Sequence, residues 1–312
     1  MIAALKKIGV VLLGAFSLMS CSSSQNVYLF TSFREPATDG LRLAYSNDGY
    51  HWNNLEGAYL KPKIGSSESK IMRDPSIVRG KDNTYHLVWT TEWRGGNGFG
   101  YANSKDLVHW SKQQYIPVMK NEPEVINVWA PEIFYDDERE QYIIIWASTI
   151  PFRYEKGQEE EKNNHRMYYT TTKDFKTFSD AKLFFEPGFS VIDCVLLKRA
   201  KNDYVLVLKD NTRPMRNIKV GFAKSPLGPF EGISAPLTDY LSEGPTVLNL
   251  GKDWLIYYDN YGAKNYQALR TSDFEHFENV SSKIQLPEGH KHGTITTISK
   301  KTLKGLLANQ KN

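Results

Sequence analysis

Ser46-Asn47-Asp48-Gly49-Tyr50-His51-Trp52 is a turn that this chain repeats. It returns as Ser104-Lys105-Asp106-Leu107-Val108-His109-Trp110, as Thr172-Lys173-Asp174-Phe175-Lys176-Thr177-Phe178 and as Thr271-Ser272-Asp273-Phe274-Glu275-His276-Phe277. Lys224-Ser225-Pro226-Leu227-Gly228-Pro229-Phe230 is a degenerate fifth copy. A hydroxyl close before an aspartate makes a side-chain-capped turn, and the aromatic after it can plug the edge of a sheet. Five copies imply five units.

Most of these turns are preceded by a pair of apolar runs. Asp74-Pro75-Ser76-Ile77-Val78 leads to Tyr85-His86-Leu87-Val88-Trp89, and Ala130-Pro131-Glu132-Ile133-Phe134 leads to Tyr142-Ile143-Ile144-Ile145-Trp146. Asp193-Cys194-Val195-Leu196-Leu197 leads to Tyr204-Val205-Leu206-Val207-Leu208, and Gly244-Pro245-Thr246-Val247-Leu248 leads to Trp254-Leu255-Ile256-Tyr257-Tyr258. A polar turn such as Lys81-Asp82-Asn83 divides each pair, as in antiparallel hairpins. A period of about fifty to sixty residues with about four short strands per unit is the mark of a β-propeller. The first unit lacks a leading strand, and Gly293-Thr294-Ile295-Thr296-Thr297-Ile298 supplies one at the other end of the chain. The expectation is an all-β, five-bladed propeller whose ring closes when the C-terminal strand pairs with the N-terminal blade.

Composition agrees. Aromatic residues are 13 % of the 312 and hydrophobic residues 40 %, which excludes disorder, collagen and coiled coil and leans towards β structure. The net charge of +4 comes from scattered rather than striped basic residues, which argues against nucleic acid as a partner. Two cysteines, Cys21 and Cys194, exclude a disulfide framework or a Cys-rich zinc site. Lys6-Lys7, the apolar run Ile8 to Met19 and the small residues after it read as an export signal, too short for the roughly 20 residues of a membrane span. Leu18-Met19-Ser20-Cys21 resembles a bacterial lipobox. That resemblance implies cleavage before Cys21, lipidation of its thiol, and a protein anchored to the bacterial envelope by its lipid alone. Residues 1–20 are then the leader, 21–26 a tether and 27–312 a single domain, expected to be monomeric.

First strands line the axis of a propeller, and here their starts share one mouth. Asp74, Asp193 and Glu243 lie at three of the starts, Ala130 and Gly293 at the others. Three converging carboxylates repel one another, so at least one holds its proton to higher pH. A base to activate water and an acid to protonate a leaving oxygen are what hydrolysis of a glycosidic bond requires. Arg73-Asp74-Pro75-Ser76-Ile77, Val128-Trp129-Ala130-Pro131-Glu132-Ile133, Val191-Ile192-Asp193 and Ser242-Glu243-Gly244-Pro245 resemble, in order and spacing, glycoside hydrolase family 43 over roughly residues 27–300. The resemblance implies hydrolysis with inversion, with Asp74 as general base, Glu243 as general acid and Asp193 as the carboxylate that orients the acid and raises its pKa. Five sizeable loops around the mouth favour a pocket and exo action on plant-type polysaccharides, and the resemblance implies first an α-L-arabinofuranosidase, with β-xylosidase, exo-β-1,3-galactanase and β-galactofuranosidase as alternatives. A non-catalytic glycan-binding surface propeller is the alternative of another class. Cys194 stands where the family usually has proline, and reads as a buried, unreactive packer.

The loops between second and third strands surround the mouth. They offer Phe33, Arg34, Trp93, Phe152, Arg153, Arg213, Tyr261 and Asn265 for binding sugar, since flat aromatics stack on sugar faces and Arg or Asn binds hydroxyls. Trp129 is the leading candidate for a platform, whereas Trp89 and Trp146 read as core and Glu132 as a structural hydrogen-bonding residue. The charge run Gln158-Glu159-Glu160-Glu161-Lys162 reads as a solvated excursion. His292 stands beside the fifth start, where the family often has a histidine near the axis holding water or a metal ion. No calcium loop or His-Glu-x-x-His pattern occurs, so no cofactor is required, and a structural ion in the central channel stays open.

Overall fold

The computed structural model describes residues 27–66, 68 and 70–310. The leader and the whole of the tether, Cys21 included, lie outside them. Five small antiparallel sheets form the five blades. Blade I holds β1 (Val27–Ser32), β2 (Leu41–Ser46) and β3 (Trp52–Leu60). Blade II holds β4 (Arg73–Arg79), β5 (Tyr85–Thr90), β6 (Phe99–Ser104) and β7 (Gln114–Ile116). Blade III holds β8 (Trp129–Asp136), β9 (Gln141–Ser148), β10 (Arg166–Thr172) and β11 (Lys182–Phe185). Blade IV holds β12 (Val191–Ala200), β13 (Asp203–Asp210) and β14 (Asn217–Ala223), and blade V holds β15 (Ser242–Asn249), β16 (Trp254–Asn260), β17 (Asn265–Thr271) and β18 (Glu278–Asn279). β19 (Ile295–Ile298) completes blade I, with Val27 opposite Ile298 and Phe30 opposite Ile295. The ring therefore closes as the sequence predicts.

The second strands are unbroken apolar runs because both of their faces are buried. Successive side chains point opposite ways, so one strand feeds two interfaces. Tyr85, Leu87 and Trp89 of β5 pack towards blade I, while Val88 packs towards blade III. Ile144 and Trp146 of β9 face blade II, and Ile143 and Ile145 face blade IV. Leu206 and Val207 of β13, then Ile256 and Tyr257 of β16, continue the alternation until Phe30, Trp52 and Tyr257 close the last interface. The core is five such seams. Trp89 and Trp146 belong to it, as expected.

The recurring turn has one geometry in four copies. In the second, Ser104 Oγ accepts from Leu107 N–H at 2.8 Å, and Asp106 Oδ1 accepts from Val108 and His109 N–H at 3.0 and 2.8 Å. The residue after the aspartate takes positive φ each time: Gly49 78°, Leu107 68°, Phe175 56° and Phe274 64°. Leu107, Phe175 and Phe274 are buried, so packing offsets the unfavourable backbone. The degenerate copy lies in blade IV, which has three strands and only an isolated bridge, Phe222 to Glu231, where a fourth would be. Beyond the propeller lies a helix, α1 (Lys300–Asn309), capped by Ser299 and packed through Leu306 onto the seam between blades I and II.

Candidate active site

Each first strand from β4 to β15 carries a bulge at its mouth end. The register shifts fall between Arg73 and Ser76, Trp129 and Glu132, Ile192 and Val195, and Glu243 and Thr246. At each bulge one residue has positive φ: Asp74 50°, Ala130 45°, Asp193 53° and Gly244 54°. Asp74 and Asp193 are thus structural equivalents, but the third acid is not. Glu243 stands one residue before the bulge position, which belongs to Gly244. It sits nearer the opening, with its side chain 36 % exposed against 14 % for Asp74 and 8 % for Asp193. The fifth equivalent is His292 rather than Gly293. Ile295 N–H donates to Thr246 Oγ1 of the preceding blade just as Ile133 N–H donates to Ser76 Oγ, and counting back three residues gives 292 and 130.

The three acids meet in one cavity of about 500 Å³ with walls from all five blades. Thr90 donates to Asp74 Oδ2 at 2.9 Å, and His292 Nδ1 stands 3.4 Å from Asp74 Oδ1 and 3.9 Å from Asp193 Oδ1. Asp193 Oδ2 accepts from Gly244 N–H at 3.1 Å, which ties it to the backbone beside Glu243. Lys209, at the end of β13, donates from Nζ to Glu243 Oε2 at 2.9 Å. Lys291 donates to Asp259 Oδ2 at 2.9 Å on the same side of the cavity.

These contacts divide the protons. Burial pushes Asp74 up, but the hydrogen bond and charge of His292 outweigh it and hold the carboxyl below its ordinary value. Burial wins at Asp193, assisted by the charges of Glu243 and Asp74, and its carboxyl is raised. Burial also pushes Glu243 up, yet the Lys209 ammonium holds it below the usual range. His292 loses by burial and gains more from Asp193 and Asp74, reaching about 9, so it is an imidazolium at neutral pH. The sequence predicts that at least one acid holds its proton to higher pH, and the acid whose carboxyl is raised is Asp193 rather than Glu243. Among the described residues no group of three or more His, Cys, Asp or Glu side chains is placed to hold a metal ion.

Phe33, Trp93, Trp129, Tyr261 and His292 line the cavity as the sequence predicts. Trp93 is the open platform, 55 % exposed. Trp129 packs against both Trp93 and His165, each at 4.8 Å between ring centroids, so less of its faces is left for a sugar. Five predicted binders lie outside the lining, and of these Arg153 pairs with Glu122 while Asn265, at the start of β17, accepts from Gln267. Arg34 turns towards Asn54 and Gly289, Arg213 turns towards Glu159, and Phe152 stands 87 % exposed on the rim. Glu159 corrects the reading of its charge run as solvated, because it is buried beside Arg216 at 3.5 Å and Arg213 at 3.9 Å.

Sequence reasoning passed over Arg73, Lys209, Arg216, Asp259 and Lys291, which also line the cavity. Lys209 and Asp259 had a signal. Each follows an apolar run buried on both faces, and a charge there needs a partner or a task. Arg73 lies with its guanidinium 4.6 Å from the Phe33 ring and 4.8 Å from the Trp93 ring, bound to Glu35 at 2.8 Å. Cys194 is buried with its thiol pushed well up by burial, in line with an inert packer.

A family profile related to glycoside hydrolase family 43, described as a probable glycosyl hydrolase domain, matches residues 24–304. An α-L-arabinofuranosidase of Bifidobacterium longum subsp. longum is 26 % identical over 150 residues, which is 41 % of this chain and 14 % of that one. Among solved structures, a family-43 β-1,3-galactosidase superposes with a TM-score of 0.55 at 12 % identity, covering 78 % of this chain and 54 % of its own. The α-L-arabinofuranosidase from Lactobacillus brevis gives 0.51 at 17 %, covering 67 % and 72 %. At these identities the structural likeness concerns the fold.

Proposed function

This chain belongs to the glycosyl hydrolases related to family 43, and on that premise we propose that it is an exo-acting, inverting glycosidase that removes terminal sugars from plant-type polysaccharides. The observation that carries the reading is the meeting of Asp74, Asp193 and Glu243, from three blades, in one cavity walled by all five. Such a cavity suits a chain end rather than a chain passing through. Asp74, held ionised by His292, takes a proton from water as the water oxygen attacks the anomeric carbon. The bond to the leaving oxygen breaks, and Glu243 gives that oxygen its proton. Asp193, through its hold on the Gly244 amide, fixes the strand that carries the acid. An α-L-arabinofuranoside is the first candidate substrate, supported by the Bifidobacterium relative. The lipobox-like Cys21 supports export and attachment to the envelope.

A panel of aryl glycosides and arabinose-decorated polysaccharides tests the reading. Wild type should cleave at least one, and Glu243→Gln should lose about a hundredfold or more in kcat on substrates with poor leaving groups. Proton NMR should show the inverted anomer first. A retained anomer overturns the role of Asp74 as base, and glycan binding without cleavage by wild type favours the non-catalytic reading.

A further inference from the structure

The acid of an inverting glycosidase must carry a proton when the bond breaks, yet here an ammonium sits 2.9 Å from Glu243. Lys209 is not a surface lysine that happens to reach in. Its side chain is 3 % exposed, its Nζ lies 5.3 Å from the centre of the Tyr261 ring, and it opens onto the cavity. A second cation stands nearby. Arg216 lines the same cavity; its carbonyl accepts from Ser242 N–H at 3.0 Å, which sets its backbone beside the strand of Glu243, and its guanidinium stands 3.5 Å from the buried Glu159. An ammonium can donate to a sugar hydroxyl as well as to a carboxylate, but a charged carboxylate competes with Glu243 for it far better than a neutral hydroxyl does.

We propose that the leaving-group side of the cavity is built for an acidic sugar, whose carboxylate takes Lys209 and Arg216 and so releases Glu243 to carry its proton. This rests on the glycosidase reading and names the substrate class within it. The acid stands on the leaving-group side of the cleaved bond, so the cations beside it face the residue that departs. With Lys209 shared by the substrate, the charges left around Glu243 include Asp74, which favours its protonated form, and His292, which does not. The carboxylate makes charge-assisted hydrogen bonds to both cations, and an uncharged analogue leaves Lys209 on the acid. Substrate and proton therefore arrive together. The bond chemistry is unchanged: water supplies the hydroxyl to the anomeric carbon and Glu243 the proton to the leaving oxygen.

The test compares one terminal glycoside whose leaving sugar is a uronic acid with the same compound as its methyl ester. The free acid should be cleaved with kcat/KM roughly tenfold to a hundredfold higher, and Lys209→Met should abolish that preference. Because Lys209→Met leaves Glu243 without its partner, Lys209→Arg is measured beside it and should keep the preference. Equal rates for acid and ester overturn the proposal while the glycosidase reading stands. Should wild type cleave neither compound, titration with free galacturonate against galactose decides. Galacturonate should bind at least about tenfold more tightly, and Lys209→Met should remove the difference; equal binding overturns the proposal. Failure of the glycosidase reading itself shows separately, as inactivity across the wider panel.

Discussion

Glu132 shows how a single buried carboxyl can set a property of the protein away from the reaction. It lies at the second bulge, two residues beyond Ala130, and Thr294 donates to its Oε2 at 3.2 Å across the axis. Burial raises it from 4.5 to about 7, with Ser76, His292 and Thr294 only partly opposing the shift. The folded protein therefore binds a proton that the unfolded chain gives up. By linkage, the stability contributed by this group is full below about 4.5 and is lost as pH rises through about 7. Glu132→Gln keeps the shape and removes the titration. Melting temperatures measured from pH 4 to pH 8 should fall less steeply for the variant than for wild type. Parallel curves would mean that Glu132 titrates as an ordinary carboxyl.

At the scale of the strand, the bulges aim the acids. A bulge adds one residue to one strand, bends it and redirects a side chain. Asp74 and Asp193 tolerate the left-handed backbone because a short polar side chain suits it. The fourth bulge instead uses glycine, for a reason visible in its surroundings: a Cβ on Gly244 would lie 2.6 Å from His292 Cγ. Gly244→Ala should displace the His292 ring and the adjacent Glu243. The expected loss is on the order of a hundredfold in kcat/KM, with about 1 kcal/mol or more of stability lost to the positive φ. Steady-state kinetics and denaturant melts check both, and unchanged activity would mean that the histidine has room to move. The bulges also mark the limit of what the sequence makes legible. The hairpins could be read because their seams bury both faces, and the closing strand because one unit lacked its leader. The placement of Glu243 one residue before its apparent equivalents could not, because Glu243-Gly244-Pro245 and Arg73-Asp74-Pro75 align by their prolines only if the acids are allowed to differ. Arg34, Phe152 and Arg213 fell away because a loop's address does not say which way its side chains turn. The partners Lys209 and Lys291 were missed because they come from other blades.

For the whole molecule, the seams between blades matter more than any single sheet. No blade buries its own faces, so each depends on two neighbours, and blade I depends on both ends of the chain. Removing residues 293–312 takes away β19, α1 and the pairing with β1. The truncated chain should melt at a lower temperature and less cooperatively than the intact protein measured beside it, and bind a dye for exposed apolar surface, because an open β1 edge is a site for association. A cooperative melt near the wild-type temperature would show that four blades and a half suffice.

Ring closure also sets the order of events in the life of one polypeptide. His292 and Lys291 stand immediately before the closing strand, and they are the last side chains to join the cavity. Until a ribosome has finished nearly the whole chain, Asp74 lacks the histidine that keeps it ionised. A fragment lacking residues 291 and 292 would hold Asp74, Asp193 and Glu243 without His292 beside them. The cavity is therefore complete only once the strand that closes the ring has paired with blade I.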